Sequence, residues 1–417
     1  MRGESGKTGL QIPAKRNKPS MNLSYKYRLQ PTQAQTRILE EQLNHCRQTY
    51  NTLLKHCIDE RRAGRGTPTH KSLTYQLPAM KAETPELDKV FSQVLQNIAK
   101  RVRHGFENTW ARRRAGLKAD TPHYRRARDY SSLTYPQFGF KLSGSTLRLS
   151  KIGELRLRLH RPVEGRVKTL TISRSASGKW YAIFSSEVES KPIEGRLPAV
   201  GVDLGLNSLV ALSDGTLIEA PMSYRKSEDK LRKLHRRVSR RCRGSSNWGK
   251  ARVQLAVGYE KVSNQRRDYA YKAARCIVNR YEGIVVEDLR IDNMRRNRCL
   301  SKSIGDAGWG MLRNALTYMA ERSEGVMVFV DPRYTSQLCS GCGELVRKDL
   351  DVRVHICPRC GLVLDRDVNA ARNILLRGIG MGHTESKPVG DLASAEGVIP
   401  VMHVGSVNQE AHLFRGG

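Results

Sequence analysis

Four cysteines have the spacing of a metal site. Cys339, Cys342, Cys357 and Cys360 form two C-x-x-C pairs that are separated by fourteen residues. Thiolates bind zinc tetrahedrally when two short turns each supply two ligands, and glycines at positions 341, 343 and 361 lie where such turns would form. The alternative, that these are ordinary buried or disulfide-bonded cysteines, fits the spacing less well. We therefore expect one structural Zn²⁺; His355 could replace a ligand, although a lone histidine beside such a turn is usually a surface residue.

Three acidic residues end or begin predicted elements. Asp203 lies in the strand AVGVDLG, Glu287 ends the strand IVVEDL, and Asp367 lies at the start of the helix DRDVNAARN. Each alone is more often structural, since aspartate commonly caps helices, and the neighbours Asp288 and Asp365 could be mistaken for the functional groups. Together the three match the arrangement in which carboxylates hold two divalent ions roughly 4 Å apart for phosphodiester hydrolysis. Carboxylate oxygens suit Mg²⁺, so we expect these three residues to bind two Mg²⁺ ions and to be catalytic.

Two glycines flank the first of these acids. Gly201 and Gly205 are expected to let a phosphodiester backbone approach closely, because glycine has no Cβ. The same GVDLG motif is compatible with the actin-like ATPase fold. That fold requires phosphate-binding loops, and the sequence has no obvious one.

The sequence is strongly basic, with 73 lysines and arginines against 40 aspartates and glutamates and a formal net charge of +33. A charge of this size is self-repulsive without a polyanionic partner, which favours nucleic acid. An anionic membrane is the alternative, but the sequence has no run of about 18 apolar residues, and its first twenty residues lack the apolar core of an export signal. We expect a cytoplasmic protein, associated with the nucleoid through nucleic acid, and no membrane partner.

Basic residues concentrate in two predicted helices within residues 225–280. Charge runs are usually solvated faces, but an unbalanced run of this length favours contact with phosphates. The predicted nucleic-acid-binding residues here are Arg232, Lys233, Arg236, Arg237, Arg240, Arg241, Arg266 and Arg267. Arg125 and Arg126 are added because aromatic residues lie near them, and these either stack on bases or fill a β-core. The aromatic residues are Tyr124, Tyr130, Tyr135, Phe138 and Phe140.

The spacing of apolar residues predicts the elements of the first half. A strand at 22–29 precedes a helix that opens at Thr32, and a second helix should run from an N-cap at Thr84 to near Gly116. Period-two patterns between residues 129 and 188 then predict a small β-barrel or sheet, with a hairpin turn at a Ser-Gly pair.

The second half alternates strands and helices. Its predicted strands are AVGVDLG, SLVALSDG, GIVVEDL and VMVFV. Its predicted helices are the basic pair, which breaks at Gly244, a helix from about Asp306 to Ala320, and a helix over VNAARNILL. The resulting segments are a disordered leader at 1–20, a β-barrel at 21–30 and 120–195, a helical insertion at 31–119, an α/β domain at 196–332 and 366–380, a zinc ribbon at 333–365, and a disordered tail at 381–417.

The motifs occur in a recognisable order. The set GVDLG, LRKLHRRVSRR, NQRRDYAYKAA, IVVEDL, SKSIGDAGWG, TSQLCSGCG, CPRCG and DRDVNAARNIL resembles the TnpB family, whose larger relatives are the type V CRISPR effectors. The resemblance spans about Asn22 to Leu376. It implies an α/β multidomain fold in which a RuvC-like (RNase H-type) nuclease core carries an inserted zinc ribbon, and an N-terminal wedge β-barrel carries a helical recognition insertion.

The resemblance also implies a function. Members of the family are transposon-encoded RNA-guided DNA endonucleases, so the expected partners are a guide RNA and a target DNA that carries a short adjacent motif. Base pairing would supply sequence specificity, and one site would cleave both strands. The family's catalytic triad carries over to Asp203, Glu287 and Asp367, and motif reading is assigned to Tyr75 and Gln96 in the insertion. Protein partners, and whether the chain is a monomer or a dimer on the RNA, stay open.

Three other functions compete with this one. A nuclease-silent RNA-guided repressor would bind DNA without cutting, but such a protein should lack a triad carboxylate. A transposase or transposition accessory protein should carry a separate transposase core, and none is visible. A zinc-ribbon transcription factor would account for the charge and the cysteines while leaving the three acids without a role.

Overall fold

The computed structural model describes residues 20–294, 296, 301–349, 352–380 and 401–402. These form two compact units, an N-terminal unit of Ser20–Val188 and a C-terminal unit that starts at Glu189. The leader predicted at 1–20 and the tail predicted at 381–417 fall outside the described residues, apart from Ser20, which begins a strand, and the pair 401–402.

The N-terminal unit contains one seven-stranded sheet with the order β2-β6-β7-β1-β5-β4-β3. Its strands are β1 (Ser20–Gln30), β2 (Ser132–Tyr135), β3 (Phe140–Ser143), β4 (Thr146–Leu149), β5 (Gly153–Arg158), β6 (Arg166–Arg174) and β7 (Trp180–Glu189). Burial alternates residue by residue along β1, as expected when one face of a sheet covers a core. The sheet curls until it is nearly closed, since the ring centroids of Phe140 in β3 and Phe184 in β7 lie 6.5 Å apart.

The helices of this unit follow β1 in the chain. They are α1 (Gln33–Arg62), α2 (His70–Tyr75), α3 (Leu77–Glu83) and α4 (Ser92–Arg114). Thr32 caps α1, and its hydroxyl and the Gln35 side chain form a reciprocal capping box. Most of the buried side chains of α1 and α4 are apolar, as the helical spacing of the sequence indicates.

The helix expected from Thr84 starts later than predicted. Pro85–Lys89 is a 3-10 turn, Phe91 is extended, and α4 begins at Ser92. The ring of Phe91 stacks on Tyr135 at a centroid distance of 6.0 Å. Packing against the sheet therefore overrides the local capping signal of the Thr-Pro-Glu sequence.

The C-terminal unit is built on a mixed sheet with the order β12-β11-β8-β9-β10-β15. Its strands are β8 (Leu197–Asp203), β9 (Ser208–Leu212), β10 (Leu217–Glu219), β11 (Tyr281–Glu287), β12 (Val326–Val330), a separate pair β13 (Val354–Ile356) and β14 (Val363–Asp365), and β15 (Val401–Met402). Strands β8, β11 and β12 run parallel, whereas β9 runs antiparallel to β8 and to β10.

Six α-helices accompany this sheet in the described residues. They are α5 (Glu228–Ser239), α6 (Ser246–Arg280), α7 (Ile291–Met294), α8 (Ser301–Ala307), α9 (Trp309–Arg322) and α10 (Arg366–Gly378). The helix predicted from Asp306 to Ala320 is two helices, because Gly308 adopts φ +72° between α8 and α9. Within the described part of the chain, none of the helices is both long and apolar enough to cross a bilayer.

Successive residues of β8 face opposite sides of the sheet. Val200 and Val202 belong to a buried cluster that also contains Ile277 of α6 and Leu316 of α9. Gly201, between the two valines, faces α10 instead, since a Cβ there would lie 1.9 Å from the carbonyl oxygen of Ala371. The sheet is thus covered by α6 and α9 on one face and by α10 on the other, which brings the start of α10 to the end of β8.

Candidate active site

Two of the three predicted acids end neighbouring strands. Asp203 is the last residue of β8, and Glu287 is the last residue of β11. The two strands are parallel, and Val202 pairs with Val286. Asp203 and Glu287 therefore emerge side by side at the carboxyl edge of the sheet, where open α/β sheets commonly bind their ligands.

The third acid reaches the same edge from a helix. Asp367 lies in the first turn of α10, and one of its carboxylate oxygens is 3.6 Å from the position that a Cβ on Gly205 would occupy, just after β8. Its neighbour Asp365 has a different task, because it caps α10 by accepting hydrogen bonds from the backbone N–H groups of Asp367 and Val368 at 2.8 and 3.2 Å. Asp288 is also separate, with a side chain that is 70% exposed.

Burial and neighbouring carboxylates raise the pKa values of the three acids more than the arginines near them lower these values. Burial, followed by repulsion from Glu287 and then Asp367, raises the pKa of Asp203 well above its usual value. Burial also raises the pKa of Glu287, although a hydrogen bond from Thr335 and the charge of Arg377 act in the opposite direction. The pKa of Asp367 is raised by burial and by Asp365. A group of acids that oppose each other's ionisation in this way is suited to a bound cation.

The acids are spaced more widely than the cysteines. Among the described residues, the one set of three or more potential metal ligands whose donor atoms all lie within 4.8 Å of one another is Cys339, Cys342, Cys357 and Cys360. The wider spacing of the carboxylates is compatible with Mg²⁺, which keeps several waters and is usually bound through only one or two protein carboxylates.

The two glycines beside Asp203 do not have the predicted role. A Cβ on Gly201 would collide with α10, and a Cβ on Gly205 would lie 2.6 Å from the carbonyl oxygen of Ser208. At both positions the space that a Cβ would fill is occupied by the backbone of this chain, and not left for a phosphodiester backbone. The Gly205 carbonyl also accepts a hydrogen bond of 3.0 Å from the buried indole of Trp309, which holds the turn that follows Asp203.

The four cysteines form a cluster that fits a structural zinc site. The sulfurs of Cys339 and Cys360 are 3.6 Å apart, and those of Cys342 and Cys357 are 3.5 Å apart. Four thiolates around a tetrahedral zinc, with Zn–S bonds of about 2.3 Å, lie about 3.8 Å from one another. Each pair sits in a turn whose closing glycine, at position 343 or 361, has a positive φ.

The sequence predicts that His355 is a surface residue if it is not a metal ligand, and this prediction is wrong because the side chain is buried. It is completely buried in β13 and lies outside the cysteine cluster. Its Nδ1 contacts the amine of Lys348. Burial and then the charge of Lys348 lower the pKa of His355, so this histidine belongs to the interior of the ribbon.

Two asparagines that the sequence did not single out connect the cysteine cluster to α10. The side-chain amide of Asn369 donates to the Leu338 carbonyl at 2.7 Å, and its oxygen accepts from the backbone N–H of Ser340 at 2.9 Å. Asn373, one turn later, donates to the carbonyls of Thr335 and Leu338 at 2.8 and 2.7 Å. Their helical spacing and the unfavourable propensity of asparagine inside helices were the available signals.

Most of the predicted basic residues of α5 and α6 are accessible. Lys233, Arg236, Arg240 and Arg241 are exposed. The exposed residues Arg232, Arg237 and Arg267 have local partners, which are Glu228 and Asp229, Gln254, and Asn264, respectively. Arg266 is less accessible than the others, because its side chain is only 19% exposed and forms an ion pair of 3.4 Å with buried Asp306. This ion pair joins α6 to α8.

The aromatic residues near Arg125 and Arg126 differ in burial. Tyr130 and Tyr135 are buried in the β-core, whereas Tyr124 and Phe138 are more than half exposed. Arg125 and Arg126 are themselves exposed. The backbone of Arg125 is fixed, since its N–H donates to Asn51 and its carbonyl accepts from the same amide, at 2.8 and 3.0 Å.

The two residues assigned to motif reading lie on the helical part of the N-terminal unit. Tyr75 ends α2 and is 70% exposed, and the Lys71 amine lies 5.7 Å from its ring centroid. Gln96 is exposed on α4. The His70 ring contacts the Gln96 carbonyl at 3.4 Å, so α2 and α4 are in contact near both side chains.

Three family models match separate parts of the chain. They are described as a helix-turn-helix domain at residues 21–66, a probable transposase at 184–298 and a Cas12f1-like TNB domain at 309–374. The first range contains β1 and the long helix α1, and the third contains the four cysteines and most of α10.

Two curated relatives align with most of the chain. A Streptomyces pristinaespiralis protein, provisionally named an RNA-guided DNA endonuclease, is 34% identical over 367 residues, which cover 85% of this chain and 89% of the relative. The chain belongs to the TnpB family. The Escherichia coli (strain K12) protein InsQ, with the same provisional name, is 32% identical and covers 85% of this chain and 92% of its own length.

The fold agrees with the assignment to the TnpB family. A protein chain in a cryo-EM structure of a Cas12f1–sgRNA–target DNA complex aligns with a TM-score of 0.53 at 15% identity, and covers 82% of this chain and 83% of that one. At this identity the likeness concerns the fold alone. The likeness supports a multidomain α/β fold for this member of the TnpB family, with a nearly closed sheet and a cluster of four cysteines.

Proposed function

We propose that this chain is an RNA-guided, Mg²⁺-dependent DNA endonuclease that cleaves double-stranded target DNA next to a short adjacent motif. Its active site would be RuvC-like (RNase H-type), with Asp203, Glu287 and Asp367 as catalytic metal ligands. The observation that carries the proposal is the convergence of the three acids: two end registered neighbouring strands, and the third begins the helix that packs on them. Segments eighty or more residues apart in the chain supply them.

The donor set suits hard divalent cations. When bound, two Mg²⁺ ions supply Lewis-acid activation of an attacking water and stabilise the leaving oxygen of a phosphodiester. The protein's part is to hold the ligands and limit their motion. Glu287 is 8% exposed and accepts a hydrogen bond from the Thr335 hydroxyl, and an Arg353 nitrogen lies 3.8 Å from the Asp367 carboxylate.

The charge of the chain supports the nucleic-acid part of the proposal. The exposed basic residues of α5 and α6 would contact phosphates, and the release of counterions would supply much of the affinity. A guide RNA would provide sequence specificity by base pairing, while the protein holds the heteroduplex through its backbone. The names of the two curated relatives support a guide RNA and a DNA target as partners.

The remaining regions are assigned by the same proposal. The nearly closed sheet would be the wedge barrel and α1 to α4 the recognition insertion, with Tyr75 and Gln96 near the adjacent motif. The cysteine cluster would hold one structural Zn²⁺ in a ribbon that is inserted into the nuclease core.

Cleavage by an acid-deficient variant tests the proposal. Asp203→Ala, assembled with its guide RNA, should lose Mg²⁺-dependent cleavage by at least about a thousandfold, the equivalent of several kcal/mol of transition-state stabilisation. Guide and target binding should persist, because the variant leaves the basic surfaces unchanged. Asp288→Asn is the matched control, since it removes the charge of the exposed neighbouring acid and should cleave normally. Cleavage that survives Asp203→Ala would overturn the proposal.

The guided part of the proposal needs its own measurement. The protein should be purified from cells that carry its native flanking DNA, and the RNA bound to it should be sequenced. A defined transcript that ends in a variable segment is expected. A random sample of cellular RNA would contradict guidance while leaving the nuclease assignment in place.

A further inference from the structure

A buried hydroxyl lies directly against one of the three acids. Thr335 is 4% exposed, and its Oγ1 is 2.5 Å from an oxygen of the Glu287 carboxylate. The hydroxyl has a single proton and a second possible acceptor, the Pro332 carbonyl at 3.1 Å. When Glu287 is ionised, the shorter contact to the charged oxygen takes the proton, because hydrogen bonds to carboxylates are stronger than those to neutral carbonyls.

Thr335 is itself held in place by α10. Its carbonyl accepts a hydrogen bond from the Asn373 amide at 2.8 Å, and the same amide donates to the carbonyl of Leu338, the residue before Cys339. Asn373 is 2% exposed. Asn373 therefore fixes the backbone from which the Thr335 hydroxyl projects, and the hydroxyl holds the Glu287 carboxylate from one side.

The same contacts leave the other side of Glu287 available. Thr335 engages one carboxylate oxygen, and among the described residues the structure shows no second hydrogen bond to the Glu287 carboxylate. A long carboxylate side chain loses rotamer freedom when it binds an ion, and a neighbour that restricts it beforehand reduces that cost. Groups that orient a metal ligand in this way typically change metal affinity by about 10- to 100-fold when they are removed.

We propose that Thr335 is a positioning residue that sets the orientation of Glu287 for divalent-metal binding, and that Asn373 holds Thr335 for this purpose. The proposal rests on the proposed function, in which Glu287 is a metal ligand. It assigns a role to the first residue of the TSQLCSGCG motif that is separate from zinc binding, since Thr335 contacts the acid and not the cysteines.

The test measures metal binding directly, with Mn²⁺ as the probe. The full-length, zinc-loaded chain is titrated with Mn²⁺, and free Mn²⁺ is followed by electron paramagnetic resonance. Thr335→Val, which keeps the shape but loses the hydroxyl, should weaken binding about tenfold. Thr335→Ser, which keeps the hydroxyl, should bind close to the level of the unmodified chain.

Two controls separate positioning from general damage. Thr317→Val makes the same chemical change on the exposed surface of α9, where the hydroxyl donates to the Arg313 carbonyl at 3.0 Å, and it should leave Mn²⁺ binding unchanged. Zinc content and the thermal unfolding curve should be the same for all variants. If Thr335→Val does not fold, Thr335→Ala replaces it with a smaller residue that also lacks the hydroxyl.

Glu287→Gln distinguishes the possible failures. If Glu287→Gln binds Mn²⁺ like the unmodified chain, the metal site of the proposed function is wrong and the positioning role falls with it. If Glu287→Gln loses Mn²⁺ and Thr335→Val does not, only the role of Thr335 is overturned. A tenfold loss in Thr335→Val that Thr335→Ser restores supports the positioning role.

Discussion

The cysteine cluster and the carboxylate site are assembled in opposite ways. All four cysteines lie within 22 consecutive residues, and their sulfurs are close enough to bind one ion between them. The three acids come from β8, β11 and α10, and they meet only because the sheet and α10 pack together. A local site can be recognised from spacing alone, whereas a site built from distant segments depends on every contact that aligns those segments.

The two sites should also differ in what they contribute to stability. Soft thiolates around zinc supply folding energy, and the described residues of the ribbon form only two short strands, β13 and β14. The acids oppose each other's ionisation, so without a cation they reduce stability. Each of the following changes tests this contrast.

Loss of the zinc ligands should have the largest effect. The double variant Cys357→Ser and Cys360→Ser should lose its zinc and unfold the ribbon, because a structural zinc contributes on the order of 10 kcal/mol to the folding of such modules. Zinc analysis and thermal unfolding measure both effects. Cys242→Ser, a change at an exposed free cysteine, is the control. Full zinc occupancy in the double variant would show that the cluster is not the zinc site.

A methyl group between β8 and α10 should have the next largest effect. Gly201→Ala places a Cβ 1.9 Å from the Ala371 carbonyl, so α10 must shift and carry Asp367 away from Asp203. We expect a loss of about 1–3 kcal/mol in the free energy of unfolding, and a loss of cleavage, measured by denaturant unfolding and by cleavage assays.

Gly249→Ala is the matched control for that substitution. Gly249 lies in α6, and a Cβ there meets nothing within 4 Å. This variant should be neutral or more stable by up to about 1 kcal/mol, because alanine favours helix over glycine. Equal stability of the two variants would mean that close packing of α10 on β8 does not hold the site together.

Removal of the charge of Asp203 should stabilise the chain when Mg²⁺ is absent. Burial and the repulsion of Glu287 and Asp367 disfavour ionised Asp203, so Asp203→Asn should raise the free energy of unfolding by about 1 kcal/mol. Added Mg²⁺ should stabilise the unmodified chain and have little effect on the variant. Unfolding followed with and without Mg²⁺ checks both, and a variant that is less stable than the unmodified chain would contradict the account of the site.

Loss of the α10 cap should have the smallest effect of the four. Asp365→Ala removes the acceptor of two backbone N–H groups and should cost about 1 kcal/mol or less, whereas Asp365→Asn keeps an acceptor and should cost little. Denaturant unfolding of both variants measures the difference. A stability loss in Asp365→Asn as large as in Asp365→Ala would indicate that charge, and not capping, is the contribution of this residue.

Much of the architecture was predictable from residue patterns. The alternation in β1, the apolar stripe of α1, the break between α5 and α6, and the strands around Asp203 and Glu287 all agree with the structure. These features depend on local periodicity, and a local signal is sufficient where nothing elsewhere in the fold competes with it. At Phe91 a tertiary contact does compete with the local signal. Its ring stacks on Tyr135, which is distant in the sequence, and the helix starts later than the local pattern predicts.

The sequence by itself determined the cluster of four cysteines and the ordered motifs of the family, because both depend on residues that are close in the chain. Only the tertiary structure decided that Gly201 faces α10, that Arg266 is committed to buried Asp306, that His355 is interior, and that Thr335 reaches Glu287. Three of these features are contacts between residues that are distant in the sequence, and the fourth is the burial of a side chain. Their partners follow from how helices and strands pack, and no pattern of neighbouring residues specifies that packing.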